Sequence, residues 1–222
     1  MRICELHQRG CIPYGAALEL QRGLVEKRKR DLIPDQFLLL EHPHVITLGR
    51  NGHMEHLLAG QEALQRAGVE FYRTDRGGDI TYHGPGQIIG YPILDLKEWR
   101  PDVVAYVRAL EQVIIEALAA FGVQAERVPG RTGVWVAGRK IAAIGVHVSR
   151  WVTSHGFALN ISTDLSYFRY IVPCGLTAPV TSMRELGSSA SLAEVREALA
   201  GAFAQVFQCK MMRAATAVEQ MT

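Results

Sequence analysis

Residues 133–161 limit the fold more than any other stretch of this chain. Gly133-Val-Trp-Val136 and Lys140 to Val148 are apolar, β-prone runs separated only by Ala137-Gly-Arg139. A connection that short can only reverse the chain, so the two runs predict an antiparallel hairpin. His155 to Ile161 predicts another strand. Phe37 to Leu40 and Val45 to Leu48 predict two more, split by a turn at His42-Pro-His44, and Val69 to Arg73 a further one. Gln87 to Leu94 is apolar throughout, as expected of a strand buried on both faces.

Helical spacing is confined to a few places. Tyr14 to about Arg30 carries Tyr14, Ala17, Leu18, Leu24 and Val25 near one face, and its basic end Lys27-Arg-Lys-Arg30 suits the helix dipole as a solvated terminus, or as a dock for an acidic protein. Gln61 to Ala67 predicts a short helix stopped by Gly68. From Asp102 to Phe121, Val103, Val107, Leu110, Val113, Ile114, Ala117, Leu118 and Phe121 follow the three-and-four spacing, and Gly122 ends the run. Ser191 and Glu194 form a capping box for a last helix carrying Leu192, Val195, Leu199, Phe203 and Val206. Strands outnumber helices, and no linker or repeat divides the chain. The expected fold is one α+β domain over residues 1–222, with a largely antiparallel or mixed sheet, flanking helices, a core from about 14 to 207, and a fraying tail after Cys209.

With 222 residues the chain can bury a full core. Its net charge of +2 gives no support for nucleic-acid binding. No run is long enough for a membrane span, and Met1-Arg-Ile-Cys-Glu-Leu6 lacks the layout of a signal peptide, which favours a cytoplasmic protein. Cys4, Cys11, Cys174 and Cys209 have no metal-site spacing and read as free thiols, with Cys4 and Cys209 as small core residues. His42, His44, His53, His56, His147 and His155 are scattered; His53 and His56 read as ordinary loop histidines, and no metal or other cofactor is expected.

Two segments and one lysine carry the candidate chemistry. Cys174 sits between Pro173 and Gly175, where the chain turns and a thiol can be presented; a buried structural cysteine is the duller reading. Lys140 opens an apolar run. It is either a solvated edge residue or an ammonium that lowers the thiol's pKa and later takes a proton from an incoming nucleophile. Arg76 to Gln87 packs Gly77, Gly78, Gly84 and Gly86 around Thr81, Tyr82 and His83, without the Gly-Lys-Ser/Thr of a P-loop. In this loop Arg76 can hold an anionic or carbonyl group, and His83 can donate a hydrogen bond or act as an acid or base. A thiol, a lysine and a glycine-lined pocket together suggest acyl transfer through a thioester.

Read in order, the motifs resemble the lipoyl(octanoyl) transferases. Arg76 to Gln87 matches their Arg-Gly-Gly-x-x-Thr-Tyr/Phe-His-x-x-Gly-Gln loop; Gly138-Arg-Lys-Ile141 with Ile144-Gly145, Gly156-Phe-Ala-Leu-Asn160 and Pro173-Cys-Gly175 match further segments. Glu41-His-Pro43 and Thr47-Leu-Gly-Arg50 are also similar, so the match runs from about residue 35 to 205. The resemblance implies a biotin/lipoate protein ligase-like fold and the transfer of an octanoyl or lipoyl group from acyl carrier protein to a lysine of lipoyl domains, those of 2-oxoacid dehydrogenases and the glycine cleavage H protein, by a monomer that needs no ATP. It implies that Cys174 is the nucleophile and Lys140 its partner. It implies that Arg76, Gly77, Gly78, Asp79, Ile80, Thr81, Tyr82 and His83, Ala143, Ile144 and Gly145, and Gly156, Phe157 and Ala158 wall the acyl site. Ala143 stands where the family often has serine, which removes any hydroxyl role there but leaves a backbone one. An ATP-dependent ligase, a non-catalytic carrier-binding protein and a cysteine hydrolase are the rival readings.

Overall fold

A two-residue turn at Ala137 and Gly138, both with positive φ (47° and 75°), closes the hairpin that the sequence predicts. Such turns twist in the same sense as the strands they join. In the computed structural model, which describes residues 1–172 and 179–214, the strands are β1 (Arg2–Cys11), β2 (Asp35–Glu41), β3 (Val45–Leu48), β4 (Glu70–Arg73), β5 (Ile80–His83), β6 (Gln87–Ile93), β7 (Glu126–Val128), β8 (Arg131–Val136), β9 (Arg139–Ser149), β10 (Val152–Asn160) and β11 (Cys209–Arg213). The helices are α1 (Tyr14–Lys29), α2 (Gln61–Arg66), α3 (Val103–Ala119) and α4 (Leu192–Phe207).

Eight strands form one mixed sheet in the order β11-β1-β2-β6-β10-β9-β8-β7, and three form a small sheet in the order β4-β3-β5. In the large sheet β1 runs parallel to both its neighbours and the remaining pairs are antiparallel. The expectation of an α+β protein with a mixed, largely antiparallel sheet holds. Alternation along β2 shows how the layers are divided. Phe37 and Leu39 face a core filled from α3 and α4, where the Phe37 and Phe203 rings stack at 4.2 Å, while Leu38 and Leu40 face α1. A third core, with Ile46, Leu48, Ile80 and Tyr82, sits behind the small sheet.

The structure corrects several expectations. The two strands expected at 37–40 and 45–48 are present but do not pair with each other, because β2 belongs to the large sheet and β3 to the small one. Arg76 to Gln87 is not one loop: β5 occupies its centre, where Thr47 pairs with Thr81. Residues outside the expected core contribute strands, since β1 and β11 pair along Arg2 to Leu6 and Cys209 to Arg213; the chain after Cys209 is thus a paired edge strand up to Arg213. Val103 lies on the exposed side of α3, and Tyr106 and Glu111 take buried places there instead. Arg28 is only 3% exposed rather than a solvated helix end, because Asp31, Asp35 and Glu98 all pair with it.

Candidate active site

β9 and β10 build the floor of the site. Their register sets Ala143 opposite Ala158, Ile144 opposite Phe157 and Gly145 opposite Gly156. The chain at Arg76–Asp79 lies across this floor, with Gly77 N–H donating to Val146 O at 2.8 Å. Approach this close requires glycine below it: a Cβ on Gly145 would stand 2.7 Å from Gly77 O. Between loop and floor runs a narrow slot lined by Arg76, Gly78, Asp79, Thr81, His83, Ala143 to Gly145 and Gly156 to Ala158. Eleven of the residues the family resemblance assigns to the acyl site therefore share one cavity. Gly77, Ile80 and Tyr82 do not line it. The period of β5 explains two of these: Thr81 and His83 face the slot, so Ile80 and Tyr82 must face away, into the third core.

Arg76 is 7% exposed, and its guanidinium is largely occupied with the protein itself. Nη2 donates to Thr47 O at 2.6 Å and to Thr47 Oγ1 at 2.8 Å, and Nη1 to Gly77 O at 3.0 Å. It clamps the glycine loop to β3. His83 Nδ1 pairs with Gln87 Oε1 at 2.8 Å. Burial, then the neighbouring His42 and Arg76 charges, push the His83 imidazole down to about 3, which leaves the ring neutral at physiological pH.

Sequence reasoning missed the far end of the slot, which is closed by Tyr14, Ile89, Tyr91 and His155. Tyr91 hydroxyl pairs with His42 Nε2 at 2.8 Å, and His42 Nδ1 with Ile12 O at 2.6 Å; burial lowers His42 to about 4. His155 has φ +56° inside a strand, an uncommon conformation for a residue other than glycine, held by Gln21 Oε1 accepting its N–H at 2.8 Å. Its Nε2 reaches Asp75 Oδ1 at 2.7 Å, and this contact holds the Asp75 carboxyl well below the usual range. The residues that close the far end come from three separate elements, α1, β6 and β10, and no local motif signals their convergence.

At its other end the slot opens into a cleft of about 620 Å³ lined by His53, His56, Gly78, Asp79, Arg131, Lys140, Ala143 and Ile144. Lys140 is half-buried on β9, with Nζ 5.0 Å from the centroid of the buried Trp135 ring. This ring face suits a cation, and Lys140 is not the solvated edge residue of the duller reading. Its backbone pairs with the next segment: Lys140 N–H donates to Pro179 O, and Thr181 N–H to Lys140 O, both at 2.9 Å. On the opposite wall Val172 N–H donates to His56 O at 2.8 Å. Cys174 lies outside the described residues, but the chain enters its segment beside His56 and leaves it beside Lys140. An apolar slot joined to a cleft with a cation can hold a hydrocarbon tail and present its polar head.

The lipoyl protein ligase A/B catalytic-domain model matches residues 13–204. An octanoyltransferase of Solibacter usitatus is 64% identical over 97% of this chain and 98% of its own length, and one of Gloeobacter violaceus is 54% identical over 93% and 92%. The chain belongs to the octanoyltransferase family. Solved structures share the fold at much lower identity. A lipoate-protein ligase A bound with ATP superposes with a TM-score of 0.78 at 17% identity, covering 99% of this chain and 92% of its own. The Aquifex aeolicus biotin protein ligase does so at 0.54 and 11%, covering 92% and 68%. The biotin/lipoate ligase-like fold expected for this family member is therefore present. Among the described residues no helix is long and apolar enough to cross a membrane.

Proposed function

We propose that this protein moves an octanoyl group from acyl carrier protein to a lysine of lipoyl domains through a thioester on Cys174. The observation that carries the reading is the junction of slot and cleft, at Gly78, Asp79, Ala143 and Ile144, with Lys140 beside it. The described residues on either side of the Cys174 segment support the reading, since Val172 N–H donates to His56 O and Pro179 O accepts from Lys140 N–H. Near identity in length with relatives named octanoyltransferase supports the same substrate class.

In the first half-reaction the Cys174 thiolate attacks the carrier-bound octanoyl carbonyl. The C–S bond to the carrier's thiol breaks, and that thiol leaves with a proton. In the second, a lipoyl-domain amine nitrogen bonds to the acyl carbon, gives a proton back to the now neutral Lys140, and displaces the Cys174 thiolate. Lys140 stabilises the thiolate by charge and donates the proton to the departing thiol. Exchange of one thioester for another is nearly neutral and amide formation is downhill, so no ATP is consumed. Burial of the tail in the slot contributes about 0.8 kcal/mol per CH₂, which makes length selection graded rather than absolute.

Intact-mass analysis after mixing with octanoyl-acyl carrier protein tests the proposal. The expected result is one octanoyl adduct on Cys174 that disappears, without ATP, when a lipoyl domain is added. Full turnover with unmodified Cys174, or a strict ATP requirement, would overturn it. Lys140→Ala should move iodoacetamide labelling of Cys174 to higher pH; an unchanged labelling profile would remove Lys140 from its role.

A further inference from the structure

We infer that His56 and Asp79 form a second proton-handling pair in the cleft, in which Asp79 orients the imidazole and His56 takes the proton from the acceptor lysine during amide formation. The inference rests on the function proposed above. Asp79 stands at a position the family loop leaves open, and the resemblance assigns it only to the wall of the acyl site. The structure gives it specific partners. Its Oδ2 meets His56 Nδ1, and its Oδ1 accepts the N–H of His53 at 3.1 Å. Both residues are largely sheltered, with side chains 21% and 12% exposed, and both line the cleft that contains Lys140. His56 also receives the chain leading to Cys174, through Val172 N–H and through the bridge between Leu57 and Ile171.

This geometry sets the tautomer. With Nδ1–H donated to the carboxylate, Nε2 carries the lone pair and becomes the basic atom. An imidazole held this way by a carboxylate can also carry the positive charge that arrives with a proton. The chemistry has a need for such a base. An acceptor lysine is almost wholly protonated near neutrality, and its nitrogen must shed a second proton once it has attacked. Lys140, having given its proton to the carrier thiol, can take back only one of these two, after which it is again the cation over the Trp135 ring that stabilises the thiolate. Step by step, His56 Nε2 takes the first proton from the acceptor ammonium and releases it to solvent, the free amine nitrogen bonds to the thioester carbonyl carbon, its second proton passes to Lys140, and the carbon–sulfur bond breaks. Sulfur departs as the Cys174 thiolate, with Lys140 again protonated beside it.

Single-turnover kinetics separates this from the underlying function. Wild-type protein is first loaded with octanoyl-acyl carrier protein; if no adduct forms, the function proposed above fails, whatever His56 does. Given the adduct, His56→Gln should load at close to the wild-type rate but transfer to a lipoyl domain about 100-fold more slowly. Transfer from the same adduct to hydroxylamine, an amine already unprotonated at neutral pH, should remain near wild type. Asp79→Asn, which can present an amide N–H to Nδ1 and so favour the wrong tautomer, should reproduce the selective loss, and Asp79→Glu should recover part of it. Wild-type transfer by His56→Gln to a lipoyl domain would overturn the inference. Equal slowing with hydroxylamine would also overturn it, since a merely structural role slows both acceptors.

Discussion

His42 and His83 show how far burial can shift the character of a side chain. Both imidazoles are nearly enclosed, and burial lowers them from 6.5 to about 4 and about 3. The sign of the consequence follows from linkage. The unfolded chain takes up protons on these groups below about pH 6.5, whereas the folded protein refuses them until much lower pH, so acidification favours unfolding. Stability should fall from pH 6.5 toward pH 4 by up to about 1.4 kcal/mol per pH unit per histidine, measured by urea unfolding. His42→Gln should flatten part of that slope; a profile parallel to wild type would mean that His42 does not contribute. At Gly145 the limit is space. Gly145→Ala places a methyl group 2.7 Å from Gly77 O and must lift the loop from β9. Acyl transfer should drop about 100-fold while the circular dichroism spectrum is unchanged, the expected cost of misplacing a binding wall by an ångström.

Among the elements, α4 states its own beginning. Ser191 accepts from Glu194 N–H, and the Glu194 carboxylate accepts from Ser191 N–H at 2.8 Å, a reciprocal cap that was legible in the sequence. Ser191→Ala should cost about 1 kcal/mol and lower the thermal midpoint by about 3 °C, read by calorimetry. α3 shows what a helical pattern leaves out. Its apolar face predicts the packing, but the fully buried Glu111 interrupts that face and receives Arg108 Nη1 at 2.7 Å, Arg127 Nε at 3.1 Å and Gly133 N–H at 3.1 Å. Those partners lie on three different stretches of chain. Periodicity sees only one helix at a time.

The whole molecule is tied together at Asp35, at the start of β2. This carboxylate is 2% exposed; it accepts from Arg28 Nε at 3.0 Å on α1, from Arg2 Nη1 at 3.3 Å on β1, and from Asp95 N–H at 3.1 Å beyond β6. Burial raises its pKa despite these partners, which shows how strongly the site depends on them. Arg28→Met should leave a buried charge without its main counterion and destabilise the protein by about 3–5 kcal/mol in denaturant titrations. Adding Asp35→Asn to that variant should return part of the loss. If Arg28→Met alone is neutral, the pair does not hold α1 to the sheet.

Short-range chemistry was written in the chain. The hairpin at Ala137-Gly138, the helices at Tyr14 and Val103, the cap at Ser191 and the glycine loop all depend on residues within a few positions of one another, so the sequence determined them and, through the ordered motifs, the family as well. Partnership between distant segments was decided only by folding. Parallel pairing of β1 with β11 joins residues about two hundred apart, and neither strand has a pattern that names the other. The closing of the slot by Tyr14, Tyr91 and His155, and the meeting of His56 with Asp79, belong to the same class. A side chain's neighbours across a sheet are set by register and layer packing, which are collective properties of all the strands and helices together.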